Sequence, residues 1–125
     1  MAKVVVLGAG LGGTIMAYEL KDVLGKDHEV AVINKGSTYS FVPSNPWVAV
    51  GWRDRQSIEV DLEPVLARHG IAACTVAHTS ARIGEARSTL HDGVVSHCNA
   101  QALALGIAPG QPCGLVIRYL ERTGG

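Results

Sequence analysis

The chain has 125 residues, of which 47% are hydrophobic and 18% charged, and its formal net charge is +0. Those values fit one globular domain with a modest core and exclude a disordered chain. Electroneutrality gives no basis for nucleic acid or an acidic surface as partner.

Val4 to Leu7 is a short continuous apolar run, the pattern of a strand buried on both faces. Glycines interrupt it within a few residues, so it is neither a secretory h-region nor a membrane span. No later stretch is long enough to cross a bilayer. Gly8, Gly10 and Gly13 then give the spacing G-x-G-x-x-G. Gly8 permits a tight turn, Gly10 lets backbone approach a pyrophosphate, and Gly13 lets a helix pack closely on the strand. Thr14 to Leu24 follows with helical apolar spacing, and Gly25 is its stop. The helix N-terminus directs free N–H groups and a positive dipole end toward bound phosphate. Glu29 to Ile33 is a second strand. Strand, glycine turn, helix and strand make one βαβ unit, and the expectation is a dinucleotide site.

Asn34 to Gly51 is a long connection in which Pro43 and Pro46 forbid a regular helix or central strand. Its aromatic content suits a ligand-facing loop. Trp47 to Trp52 fits a short helical turn. Asp61 to His69 predicts a helix with Asp61 as N-cap, and Ile71 to Ala77 a third parallel strand. Ala81 to Val95 carries turn signals at Gly84-Glu85 and Asp92-Gly93 and predicts a hairpin or small meander. Beyond Ser96 the pattern weakens. Ala100 to Leu105 suits a helical turn, Ala108 to Gly114 a loop, and Leu115 to Leu120 either a strand or a short helix. There is no internal repeat.

The second strand ends in Asn34-Lys35, where a dinucleotide site commonly places an acid for the ribose. Two readings stay open. Asn34 can bond a ribose hydroxyl, as suits FAD, or Lys35 can meet a 2′-phosphate, as suits NADP. Phe41, Trp47 and Trp52 either wall a planar ligand or anchor the loop. Cys74, Cys98 and Cys113 are odd in number, widely spaced and without a C-x-x-C, which excludes a disulfide framework or zinc site and suits a reducing compartment. Cys74, in an apolar run, reads as a buried structural thiol. The five histidines show no ligand spacing, so no metal site is expected, and no residue is assigned a catalytic role.

Gly-Ala-Gly-Leu-Gly-Gly, His-Glu-Val-Ala-Val-Ile and above all Phe41-Val42-Pro43-Ser44-Asn45-Pro46-Trp47 resemble the N-terminus of the sulfide:quinone oxidoreductases. The resemblance implies an α/β, Rossmann-like FAD/NAD(P)-binding fold: a parallel sheet with a βαβ unit and a small β hairpin or meander. It implies noncovalent FAD. Gly8, Ala9, Gly10, Leu11, Gly12 and Gly13 would lie at the pyrophosphate, with Asn34 and Lys35 near the adenosine ribose. Val42 and Pro43 would face the flavin, and Ser80 and Ala81 the adenine. The implied reaction oxidises sulfide through redox cysteines and passes electrons through FAD to a membrane quinone. The implied location is cytoplasmic, with the inner-membrane surface left open for the full-length relative and a homo-oligomer left open for this chain.

The family's chain is about three times as long, beyond a single-domain allotment. Its redox cysteines, second nucleotide-binding domain, quinone pocket and membrane-attaching helices lie outside the matched part. This chain alone is therefore not expected to turn over sulfide. Residues 1–95 are expected to form a partial FAD-binding domain. Residues 96–125 form an atypical tail, truncated or out of register with the family. Two other readings stand beside the flavoprotein: a small NADP-binding module, and a noncatalytic remnant acting through a partner chain.

Overall fold

The computed structural model describes residues 1–82 and 85–123. Strand β1 (Lys3–Leu7) leads through a glycine turn into α1 (Leu11–Leu24), which returns as β2 (Glu29–Lys35). An excursion follows: a short strand β3 (Thr38–Ser40), a 3-10 turn at Val42–Ser44, the helix α2 (Asn45–Ala49), and β4 (Glu59–Asp61), antiparallel to β3. Helix α3 (Leu62–Arg68) leads to β5 (Ala72–Val76). The remaining elements are α4 (Ala86–Asp92), β6 (Val95–Cys98), α5 (Ala100–Ala104) and α6 (Cys113–Thr123).

The main sheet has the order β1-β2-β5-β6. β1, β2 and β5 are parallel and β6 is antiparallel to β5. Alternation along the strands explains why helices cover both faces. Val30, Val32 and Ala73 point to one side and pack with Ala17 of α1 and Leu62 and Leu66 of α3. Ala31, Ile33, Ala72, Cys74 and Val76 point to the other, where Ala102 of α5 and Cys113, Val116 and Leu120 of α6 close a second core. Side chains in both layers are essentially removed from water, as a near-continuous Val/Ala/Ile strand requires. The fold is thus the α/β, mostly parallel arrangement expected.

Three local expectations change. Residues 86–92, read as part of a hairpin, are the helix α4; Ile83 and Gly84 of that stretch lie outside the described residues. The small antiparallel pair is instead β3 with β4, which close the excursion on itself. Leu115 to Leu120, open between strand and helix, is helical, and its helix begins at Cys113, inside the stretch read as a loop. Asp61 does stand at the N-cap of α3, but its side chain makes no capping bond.

Among the described residues β1 pairs only with β2, so its other side is open. The mid-strand residues are apolar, and Lys3 at the start is engaged with Glu29 (3.3 Å) and the Thr123 hydroxyl (2.9 Å).

Candidate functional site

The geometry of the glycine turn follows from its backbone. Gly8 continues the ladder, its N–H donating to Ile33 O at 2.8 Å, and then turns at φ +97°, a conformation that L side chains rarely adopt. Gly10 is extended and precedes α1. The first intrahelical bond runs from Thr14 N to Gly10 O (2.9 Å), so the N–H groups of Leu11, Gly12 and Gly13 have no intrahelical acceptor. No side chain caps this end and no acidic residue lies in the first turn. A positive dipole end is therefore left uncompensated. A Cβ on Gly13 would lie 1.9 Å from Gly8 O, whereas at Gly10 and Gly12 a Cβ would meet nothing within 4 Å. The helix is pressed onto the turn at Gly13 and the loop is open outward at the other two. That combination matches the demands of a pyrophosphate held against backbone.

Asn34 sits at the end of β2 beside this turn. Its Oδ1 accepts from Ala9 N at 2.8 Å, and its Nδ2 donates to Gly36 O at 3.0 Å and Lys35 O at 3.3 Å. The amide orientation is set by its partners, an N–H on one side and carbonyls on the other. Asn34 thus braces the glycine loop against the end of β2, with both amide hydrogens already engaged. Thr14 Oγ1 adds a bond to Ala9 O at 3.2 Å. The sequence pointed to Asn34 as a ligand contact and gave no sign of this bracing bond.

Lys35, the last residue of β2, extends across the sheet ends, and its Nζ donates to Ala81 O at 3.1 Å. Lys35 and Ala81, named separately from sequence, are in direct contact. Ser80 is internally engaged: its hydroxyl donates to Ala77 O (2.8 Å) and accepts from Val94 N (3.0 Å). Val42 and Pro43 stand apart on the exposed 3-10 turn. Within that turn Ser44 is fully buried with a hydroxyl that has no partner among the described residues.

Two hollows open at the carboxyl ends of the parallel strands, where ligands of open α/β sheets bind. One, of about 350 Å³, is lined by Gly8, Ile33, Asn34 and Lys35 on the sheet side and by Glu85, Ala86 and Thr89 on the side of α4. The other is an open groove of about 900 Å³ bounded by Lys35, Asp61, Glu63, His78 and His97, among others. His97 Nε2 and Glu63 Oε2 are 2.8 Å apart across it. Lys35 lines both, and Val42 and Pro43 line neither. No group of His, Cys, Asp or Glu among the described residues could hold a metal ion. Glu85, Thr89, Glu63 and His97 were not singled out from sequence, because only the fold brings them to the strand ends.

No protein-family model matches the chain. Over 72 residues it is 39% identical to the sulfide-quinone reductase of Aquifex aeolicus (strain VF5), a match covering 57% of this chain and 16% of that protein. The X-ray structure of the sulfide:quinone oxidoreductase from the same hyperthermophilic bacterium matches with a TM-score of 0.53 and 37% identity, again over 57% of this chain and 16% of that one. Over the matched segment the chain is similar to the N-terminal part of sulfide:quinone oxidoreductase. The likeness inferred from the glycine loop and the Phe-Val-Pro-Ser-Asn-Pro-Trp run is borne out to that extent. The matched segment spans about one sixth of the oxidoreductase's length. No helix among the described residues is long and apolar enough to cross a membrane.

Proposed function

We propose that this chain is the FAD-binding N-terminal portion of an oxidoreductase of the sulfide:quinone type. The observation that carries the reading is the turn at Gly8–Gly13: backbone pressed together at Gly13, open at Gly10 and Gly12, with the N–H groups of Leu11, Gly12 and Gly13 left without an intrahelical acceptor. Bound flavin would supply two-electron transfer from sulfide toward quinone, chemistry that belongs to the cofactor. The chain's own contribution is binding and orientation. The loop from Gly8 through Ala9, Gly10, Leu11 and Gly12 to Gly13 lies against the pyrophosphate, with the N–H groups of Leu11, Gly12 and Gly13 donating to its oxygens while those of Gly8 and Ala9 stay bonded to Ile33 O and Asn34 Oδ1. Lys35 brings a cation to the ribose side, beside Asn34. Ser80 and Ala81 offer backbone to the adenine, and Val42 and Pro43 provide an apolar edge for the flavin ring. Residues 1–95 carry these contacts and residues 96–125 form the tail beyond them. Sulfide and quinone are the implied small-molecule partners of the complete protein.

Titration of the purified chain with FAD tests this. Saturable quenching of flavin and tryptophan fluorescence, with yellow protein after gel filtration, is the expected result. A colourless protein with no response to FAD overturns it. A response to NADPH instead supports the reading in which Lys35 meets a 2′-phosphate. A second reading draws on the open side of β1: a noncatalytic remnant whose sheet is completed by a partner chain. It gains support if neither nucleotide binds and the chain elutes as a complex.

A further inference from the structure

Cys74 and Cys98 lie on the antiparallel pair of the main sheet, directly opposite one another on β5 and β6. Their sulfurs are 3.6 Å apart, with the Cys98 thiol directed at Cys74 Sγ. The ladder explains the closeness. Asn99 N donates to Ala73 O at 2.9 Å, so residues 73 and 99 stand at a hydrogen-bonding position of the ladder, the return bond from Ala73 N going to the Asn99 side chain. The neighbouring pair, 74 with 98, is then the non-hydrogen-bonded kind, in which facing side chains approach most closely. Opposed Cα atoms in such a pair are about 4.5 Å apart, inside the range that a disulfide spans.

Register at this point is fixed by more than the ladder. The Asn99 side chain, 2% exposed, accepts from Ala73 N (3.0 Å) and Ala102 N (2.9 Å) and donates to Ile71 O (3.0 Å). It ties the end of β6 to β5 and to the start of α5, which keeps Cys98 facing Cys74. Both thiols are buried, and burial is the main cause holding each in its protonated form. β6, however, is the four-residue edge of the sheet, with Ser96 and His97 exposed beside Cys98. Cys98 is therefore the thiol that local opening brings to solvent first.

We propose that Cys74 and Cys98 are a reversible oxidation site that closes to a cross-strand disulfide under a low-molecular-weight disulfide such as oxidised glutathione. The Cys98 thiolate, freed when β6 opens, attacks one sulfur of the reagent and displaces one thiol. On reclosing, Cys74 attacks Cys98 Sγ in the mixed disulfide and displaces the second thiol. One S–S bond forms in the protein and one breaks in the reagent. Two electrons and the two thiol protons leave on the two released thiols. The product clamps the tail, from β6 onward, to the parallel strands. Cys113, buried on α6 in the same core, takes no part.

The test is incubation of the reduced, folded chain with oxidised glutathione, followed by intact-mass and peptide mass spectrometry. The expected product is lighter by about 2 Da and yields a Cys74–Cys98 linked peptide. Cys113→Ser leaves this outcome unchanged, and Cys98→Ser abolishes it. The oxidised chain melts about 10 °C higher than the reduced one, the effect of closing a loop of this length on the unfolded ensemble. Dithiothreitol reverses both changes. A linked peptide containing Cys113, three alkylatable thiols after exposure of a chain that stays folded, or an unchanged melting temperature would each overturn the proposal.

Discussion

Replacing Asn34 by aspartate isolates what the amide does at the glycine loop. The carboxylate retains an acceptor for Ala9 N–H but loses both bonds that Nδ2 donates, to Gly36 O at 3.0 Å and Lys35 O at 3.3 Å. It also sets a negative oxygen against two carbonyls. At about 1 kcal/mol for the partly buried bond to Lys35 O, about 0.5 kcal/mol for the exposed bond to Gly36 O and a little more for the opposed oxygens, the loss is about 2 kcal/mol. The charge-assisted bond from Ala9 N–H offsets up to about half of it. Asn34→Asp should therefore cost about 1–2 kcal/mol and lower the melting temperature by about 4–8 °C for a chain of this size. Asn34→Ala, which strands Ala9 N–H as well, should cost about 2–3 kcal/mol. Below about pH 4 the introduced carboxyl protonates and can donate once more, so the deficit of the aspartate variant should shrink. Thermal denaturation at pH 7 and pH 3.5 reads all of this. An aspartate variant as stable as the parent at pH 7 would refute the bracing role.

Gly13→Ala places a methyl 1.9 Å from Gly8 O, so α1 must move off the turn. We expect a stability loss of about 1–3 kcal/mol and loss of flavin binding, checked by urea titration and fluorescence. Leu120→Ala removes a side chain 1% exposed in the same cluster as Ile33. It should destabilise the whole chain by about 2–4 kcal/mol in one transition, whereas melting of the tail alone would show that the two halves do not share a core. The three thiols are all raised above their ordinary value of 9.0 by burial. Above that pH the unfolded chain releases thiol protons that the folded chain keeps, so stability falls as pH rises, by up to about 1.4 kcal/mol per pH unit and thiol. Urea midpoints between pH 8 and 10.5 should show the decline in the parent and a shallower one in Cys113→Ser.

The β1–α1–β2 unit is legible because three independent patterns coincide there: an unbroken apolar strand, glycines at fixed spacing and helical periodicity. α4 escapes the same reading for a physical reason. Its buried face is polar, with Ser88 accepting from Arg82 N (2.9 Å) and donating to Asp92 (2.9 Å), and Thr89 donating to Glu85 O (3.3 Å). A helix buried through hydroxyls leaves no apolar stripe, and the turn signals at its ends read as a hairpin. β6 is similarly disguised, because as an edge strand it buries only Val95 and Cys98 while Ser96 and His97 stay exposed. α6 does carry a stripe, Cys113, Val116 and Leu120, but exposed Leu115 and Tyr119 blur it. At the candidate site the loop was readable as a motif, whereas the Lys35–Ala81 contact joins residues 46 positions apart and depends on tertiary folding alone.

The open side of β1 sets the population of molecules able to bind at the turn. A strand bonded along one edge separates from its sheet at lower free energy than a strand bonded along both. The glycine turn hangs from the end of that strand, through Gly8 N–H to Ile33 O, and loses its shape whenever the strand lifts. Apparent affinity for any ligand of the loop is scaled by the fraction of molecules in which β1 is seated. A second neighbour for β1 would raise that fraction without touching the ligand. Bound ligand would in turn slow amide exchange at Val4 and Val6, whose N–H groups share the β2-facing side of the strand with that of Gly8.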